Sequence, residues 1–187
     1  MRTVIAGLAA LAAASITAAP AHGELVERAE EGREIASQFG AELRTALQSA
    51  MAEGGPLAAI KVCNEDAPRI ARSAAEKSGA VVGRTSLKVR NPAHEPDAHQ
   101  LAVLAALEQE LAASSEGPPP ERIHVLEDGS VRYMSAIVTQ PPCLACHGES
   151  LAAPVADAIA ALYPEDQARG YRIGEMRGAF TITWPAD

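Results

Sequence analysis

Between Glu24 and Ala52 apolar residues return at intervals of three and four (Ile35, Phe39, Leu43, Ala46, Leu47, Ala50), while Glu27, Glu31, Arg33 and Glu42 fall mostly elsewhere. That period puts one apolar stripe on an α-helix. The run Glu53-Gly54-Gly55-Pro56 interrupts it, since glycine and proline are the strongest local breakers. A second helical stretch is predicted from Leu57 to Ser78, with Ala59, Ile60, Cys63, Ala67, Ile70 and Ala74 on one face. Proline has no amide hydrogen and crowds the preceding turn, so Pro68 predicts a kink or restart just after Cys63.

Beyond Gly79 the period shortens. Val82, Leu87 and Val89 are apolar, with Lys88 and Arg90 alternating among them, which predicts a strand that Pro92 and Pro96 bring to an end. Residues 97–113 are helical again, with Leu101, Leu104, Ala105 and Leu111 aligned. The stretch Arg122–Val138 places Asp128-Gly129 between two alternating runs, the strongest short-range signal for a β-hairpin. A short helix is expected over Val155–Leu162 and a last strand over Ala179–Trp184. Strands not regularly interleaved with crossover helices predict the α+β class, an antiparallel sheet with helices on one side. The hairpin argues against a four-helix bundle.

The first residues add an address. Arg2 supplies a positive start, Val4 to Ile16 an apolar core and Ala19-Pro20-Ala21 an A-x-A site, together an export signal cleaved after Ala21. The competing reading is a retained N-terminal anchor; the A-x-A site follows so closely on the apolar run that cleavage is favoured. No later segment approaches the ~20 apolar residues of a membrane-spanning helix. We therefore expect a periplasmic chain with no stable membrane insertion, organised as a signal (1–21), an N-terminal helix (22–56) and one further domain (57–187). The formal charge of -8 over 187 residues becomes one unit more negative without Arg2. An acidic chain with few aromatics and no basic cluster is a poor nucleic-acid partner.

Chemistry enters at Cys143-Leu144-Ala145-Cys146-His147. In c-type haem attachment two cysteines bind the vinyl groups as thioethers, and the adjacent histidine sits under the iron. A redox C-x-x-C prefers a βαβ setting, and structural zinc wants a second ligand pair, which this sequence lacks. A plain disulfide is the remaining alternative. The motif plus the export signal selects one covalent haem c, anchored by Cys143 and Cys146, with His147 as a metal ligand.

The other side of the iron is open to several candidates: Cys63, His94, His99, His124, Met51, Met134 and Met176. His22 falls at the new N-terminus. His99 and His124 are expected to face solvent, Met134 is out of phase with Val131, Tyr133 and Ile137, and Met176 between Gly174 and Gly178 is the best-placed methionine. Cys63 is the odd cysteine of three, and export usually pairs cysteines; its bland alternative is a small apolar filler.

Four stretches taken together, AIKVCNEDAPRIA, GRTSLKVRNPAHEPD, CLACHGE and YPEDQARGYRIGEMRGAF, resemble a family catalogued as a domain of unknown function. It comprises exported c-type haem proteins and bacterial sensor ectodomains with a PAS-like fold. The resemblance spans about Leu57 to Ile182. It implies that Cys63 is the distal iron ligand opposite His147, and that Arg84, Lys88 or Arg90 pairs with haem propionates. Where the family often has asparagine shortly after Arg-Asn-Pro, this chain has Ala93-His94, and no kinase or methyl-accepting segment follows.

Two functions compete at this level, and both require a redox or signalling protein partner. A haem-based redox or ligand sensor would release Cys63 on reduction and admit a small gas. A simple periplasmic electron carrier would keep both ligands. Catalysis is disfavoured, because no carboxylate–histidine constellation is evident.

Overall fold

The structure, a computed structural model, describes residues 22–113 and 116–186; the expected export signal lies outside the described residues. Helix α1 (His22–Lys61) is two helices joined at a kink, with Gly55 at φ 67° followed by Pro56. The break expected there is therefore a bend. A non-glycine residue would be strained at that φ, and proline cannot continue the preceding hydrogen-bond ladder. A π-helical turn, Val62–Asp66, follows directly and leads into α2 (Ala67–Ser78). Pro68 thus sits in the first turn of α2, where its missing amide hydrogen costs nothing.

Four strands form one antiparallel sheet in the order β1-β4-β3-β2. They are β1 (Val81–Thr85), β2 (Glu121–Val125), β3 (Val131–Val138) and β4 (Met176–Trp184). The hairpin closes as the sequence predicts: Gly129 takes φ 83°, and Leu126 N–H donates to Ser130 O at 2.8 Å. β1 is shorter than its alternation suggests. The Ser86 hydroxyl bonds the Lys88 carbonyl, and Val89 O accepts from Gln167 N–H at 2.8 Å, which diverts the chain from the sheet.

The fold is α+β, but its sheet is covered on both faces. Directly opposed residues of antiparallel strands share a face, so Val82, Ile182 and Tyr133 point one way and Met134 and Ala136 the other. The first set packs with Phe39 and Leu43 of α1 and Ile70 of α2. The second packs with Val103, Leu104 and Leu107 of helix α3 (Ala98–Ala113). The single-sided arrangement expected from the sequence is thereby corrected; Tyr133 and Met134 are neighbours in the chain and both 1 % exposed. Gly32 and Gly40 let α1 lie close on its face, since a Cβ at Gly32 would sit 2.5 Å from Tyr133 Cγ and one at Gly40 2.9 Å from Phe180 Cζ.

A smaller cluster sits apart. Ile60 near the end of α1 packs with Val155 and Ile159 of helix α5 (Ala153–Leu162) and with Tyr163, and Cys146 rests against it. This cluster is the floor of the site described next.

Candidate functional site

The cysteine motif occupies one compact turn. A 3-10 turn, Pro141–Cys143, runs into helix α4, Leu144–His147. All three cysteines are half-buried and unpaired with one another as disulfides. They share one neighbourhood: burial pushes the Cys146 thiol up, Arg90 opposes this, and Cys63 and Cys143 add to it. The fold therefore brings the isolated Cys63, on its π-helical turn, to the motif that begins 80 residues later. π-Helical turns inside helices are frequent at functional sites.

His147 is held as a neutral imidazole. Its Nδ1 lies 2.8 Å from Ala168 O. A carbonyl can only accept, so Nδ1 carries the proton and Nε2 keeps its lone pair, the tautomer a metal requires. Burial, then the charges of Arg177 and Arg90, push its pKa down to about 2. Tyr171 crosses the imidazole edge-on, with ring centroids 6.3 Å apart.

The segment behind His147 is held by a buried ion pair. Arg90 Nε donates to Asp166 at 2.9 Å, and its Nη2 donates to Cys146 O at 2.6 Å and Ala168 O at 3.3 Å. Asp166 also accepts from Arg169 Nε at 2.8 Å and from Ala168 N–H at 3.0 Å. Burial works against the Asp166 carboxylate, but the bonds from Arg90 and Arg169 outweigh it and hold its pKa below the usual range. Gly170 N–H and Tyr171 N–H donate to Gly148 O and His147 O, each at 3.0 Å. Arg90 thus reaches the site as a buttress of the motif, its guanidinium committed to Asp166 and two carbonyls. Lys88 stays at the edge, exposed, with Nζ 4.8 Å from the Tyr171 ring centroid.

Arg84 and Arg177 are different. None of the ion pairs among the described residues includes either one. Burial lowers the pKa of Arg84, against the pull of Cys63 and Tyr163. Burial also lowers that of Arg177, with Tyr171 and Cys63 opposing and Arg90 and Arg84 adding repulsion. Arg177 Nε is buried without a hydrogen-bond partner. His94, on a 3-10 turn (Pro92–His94), joins this rim; burial and then Arg84 and Arg177 keep it neutral. Tyr163 closes the side toward Cys63, its hydroxyl 3.3 Å from Asn64 Oδ1.

The site gathers three thiols, a neutral imidazole and two half-buried guanidiniums that form no ion pair among the described residues. That donor set fits an iron porphyrin, which Cys143, Cys146, Cys63 and His147 would hold and whose acidic substituents the guanidiniums would meet. Among the described residues no cluster of three or more His, Cys, Asp or Glu could hold a bare metal ion.

The other candidate ligands lie elsewhere. Met134 and Met176 are buried in the α3-side core. Met176 opens β4 rather than reaching inward on a loop, and its apolar surroundings explain the difference. His99 is not solvent-facing: its Nε2 is buried, and its ring meets that of His124 at 5.0 Å. Met51 lies on α1 and His22 at its start, exposed. Sequence reading left Arg177, Asp166, Tyr163 and Tyr171 unassigned, although all four of its family-like stretches contribute residues to this site.

The sequence profile described as Tll0287-like matches residues 21–185. No curated relative matches the chain. A solved structure, the crystal structure of the cyanobacterial haem protein Tll0287, is similar at a TM-score of 0.61 and 26 % identity, covering 89 % of this chain and 97 % of that one.

Proposed function

This chain belongs to the Tll0287-like family, and we propose that it binds one haem c, attached through Cys143 and Cys146 and held between His147 and Cys63. The observation that carries this reading is the gathering of Cys63 and the motif beside Arg84 and Arg177, which form no ion pair among the described residues. The similarity to a haem protein over nearly its whole length supports it. A haem held there supplies a one-electron iron couple, and a thiolate donor favours its ferric state.

The chain's residues do the rest. Ala168 O fixes the His147 tautomer, and the Arg90–Asp166 pair holds the turn behind it. Tyr163 and Ile159 keep the wall near Cys146 dry. Cys63 rides on a π-helical turn between the bent end of α1 and α2. The helices on either side of that turn pack on the sheet, so engagement or release of Cys63 is felt by the α1–sheet contact. For that reason we favour redox or ligand sensing in the periplasm over simple electron carriage, with a protein partner reading the change.

The test is electron paramagnetic resonance of ferric protein matured in a c-type-competent host, beside Cys63→Ala. We expect a low-spin thiolate signal that the substitution abolishes. An unchanged signal removes the sulfur ligand; a colourless protein removes the haem. Carbon monoxide uptake by the reduced protein separates the two functions. A carrier keeps both ligands and excludes the gas.

A further inference from the structure

We propose that Arg177 is a carboxylate-receiving residue of this site and that, with Arg84, it takes the two propionate groups of the haem. The assignment rests on the haem reading above.

The backbone is rearranged to deliver this side chain. In the β3–β4 ladder Ile137 pairs with Gly178 and Val138 with Met176, so Arg177 is the extra residue of a β-bulge. A bulge gives up regular pairing to re-aim one side chain, and bulges concentrate beside functional sites. Here Met176 enters the α3-side core while Arg177 is placed beside Arg84, Arg90, His147 and Cys63. Gly178 permits the arrangement. A Cβ there would collide with the Thr85 carbonyl and lie 2.8 Å from Ser86 Cβ, so the end of β1 closes over the bulge.

The electrostatics are incomplete without an anion. Three guanidiniums converge, those of Arg84, Arg90 and Arg177. Asp166 answers for Arg90, with side chains 1 % and 10 % exposed respectively. Among the described residues neither Arg84 nor Arg177 forms an ion pair, and Arg177 has only the neutral Tyr171 hydroxyl as partner; a desolvated charge without a counter-charge is unfavourable. Two planar carboxylates would complete two planar forks, the pairing guanidinium geometry suits best. The Tyr171 ring lies 5.2 Å from Arg177 Cζ and the Phe39 ring 5.8 Å from Arg84 Cζ, so each cation is held against an aromatic.

The experiment crosses a side chain with a ligand. Haem-free full chain, wild type and Arg177→Gln, is titrated with ferric haem and with haem dimethyl ester, whose propionates are masked. We expect R177Q to lose about tenfold in affinity for haem, the scale of a charge-assisted bond, with little change toward the ester. R177K is expected to fall between, retaining charge but not the fork. Melting of the haem-free R177Q protein is expected at or above the wild-type temperature, because a desolvated cation without a counter-charge has gone. Equal loss for both ligands, no loss for either, or a lower melting temperature overturns the assignment and leaves the haem reading standing. Failure of the wild type to take up either ligand overturns both.

Discussion

The two sides of the sheet's functional end differ in how completely they are satisfied from within. On the α3 side Leu104 and Leu107 are 0 % exposed and meet Met134, Ala136 and Met176, all apolar and all in contact. Nothing further is needed there. The neighbourhood of the motif holds two guanidiniums without an ion pair among the described residues, an orphaned Arg177 Nε and a histidine kept neutral. The first region stabilises the fold by apolar burial; the second is polar and charged and is the part that carries the proposed function. Apolar burial and charge sit within one strand, on successive residues Met176 and Arg177.

The sharpest way to break that contrast is to empty one side alone. Cys143→Ala with Cys146→Ala should abolish covalent haem staining on a denaturing gel while leaving the α3-side core untouched. Asp166→Ala should cost about 3–5 kcal/mol in denaturant unfolding, because it strands the buried Arg90. Leu104→Ala should cost about 2–5 kcal/mol by the same measurement, the range for a buried leucine cavity, and should leave ligand binding beside the motif unaltered. The smallest effect is on pH. Asp166 has a depressed folded-state pKa, so its stabilisation is fully present above the ordinary carboxylate pKa of about 4 and is lost as pH falls through the lower folded value. Acid unfolding followed by circular dichroism should therefore show a shallower loss below about pH 4 in Asp166→Asn than in the wild type.

Much of this was legible in the chain. The hairpin announced itself through Asp128-Gly129, the long helix through its spacing, and the motif through five residues. Two-sided burial was less visible, because Tyr133 and Met134 break the alternation that a half-exposed strand would show; that irregularity was the available signal. Arg177 could not be placed, since a bulge is a mismatch between two strands and neither strand records it alone. Asp166 sits in a polar stretch that reads as surface, and only the fold brings Arg90 from 76 positions away to cover it.

The segment from Tyr163 to Glu175 contains no helix or strand, and such stretches ordinarily absorb insertions and deletions. This one is stitched to the motif directly at Ala168, Gly170 and Tyr171, and through Arg90 at Asp166. Its residue count is therefore as constrained as its chemistry. Lengthening it by a single position would slide the carbonyl that orients His147 out of step with the amides that grip the same turn, so natural variants should tolerate changes of letter here far more readily than changes of length.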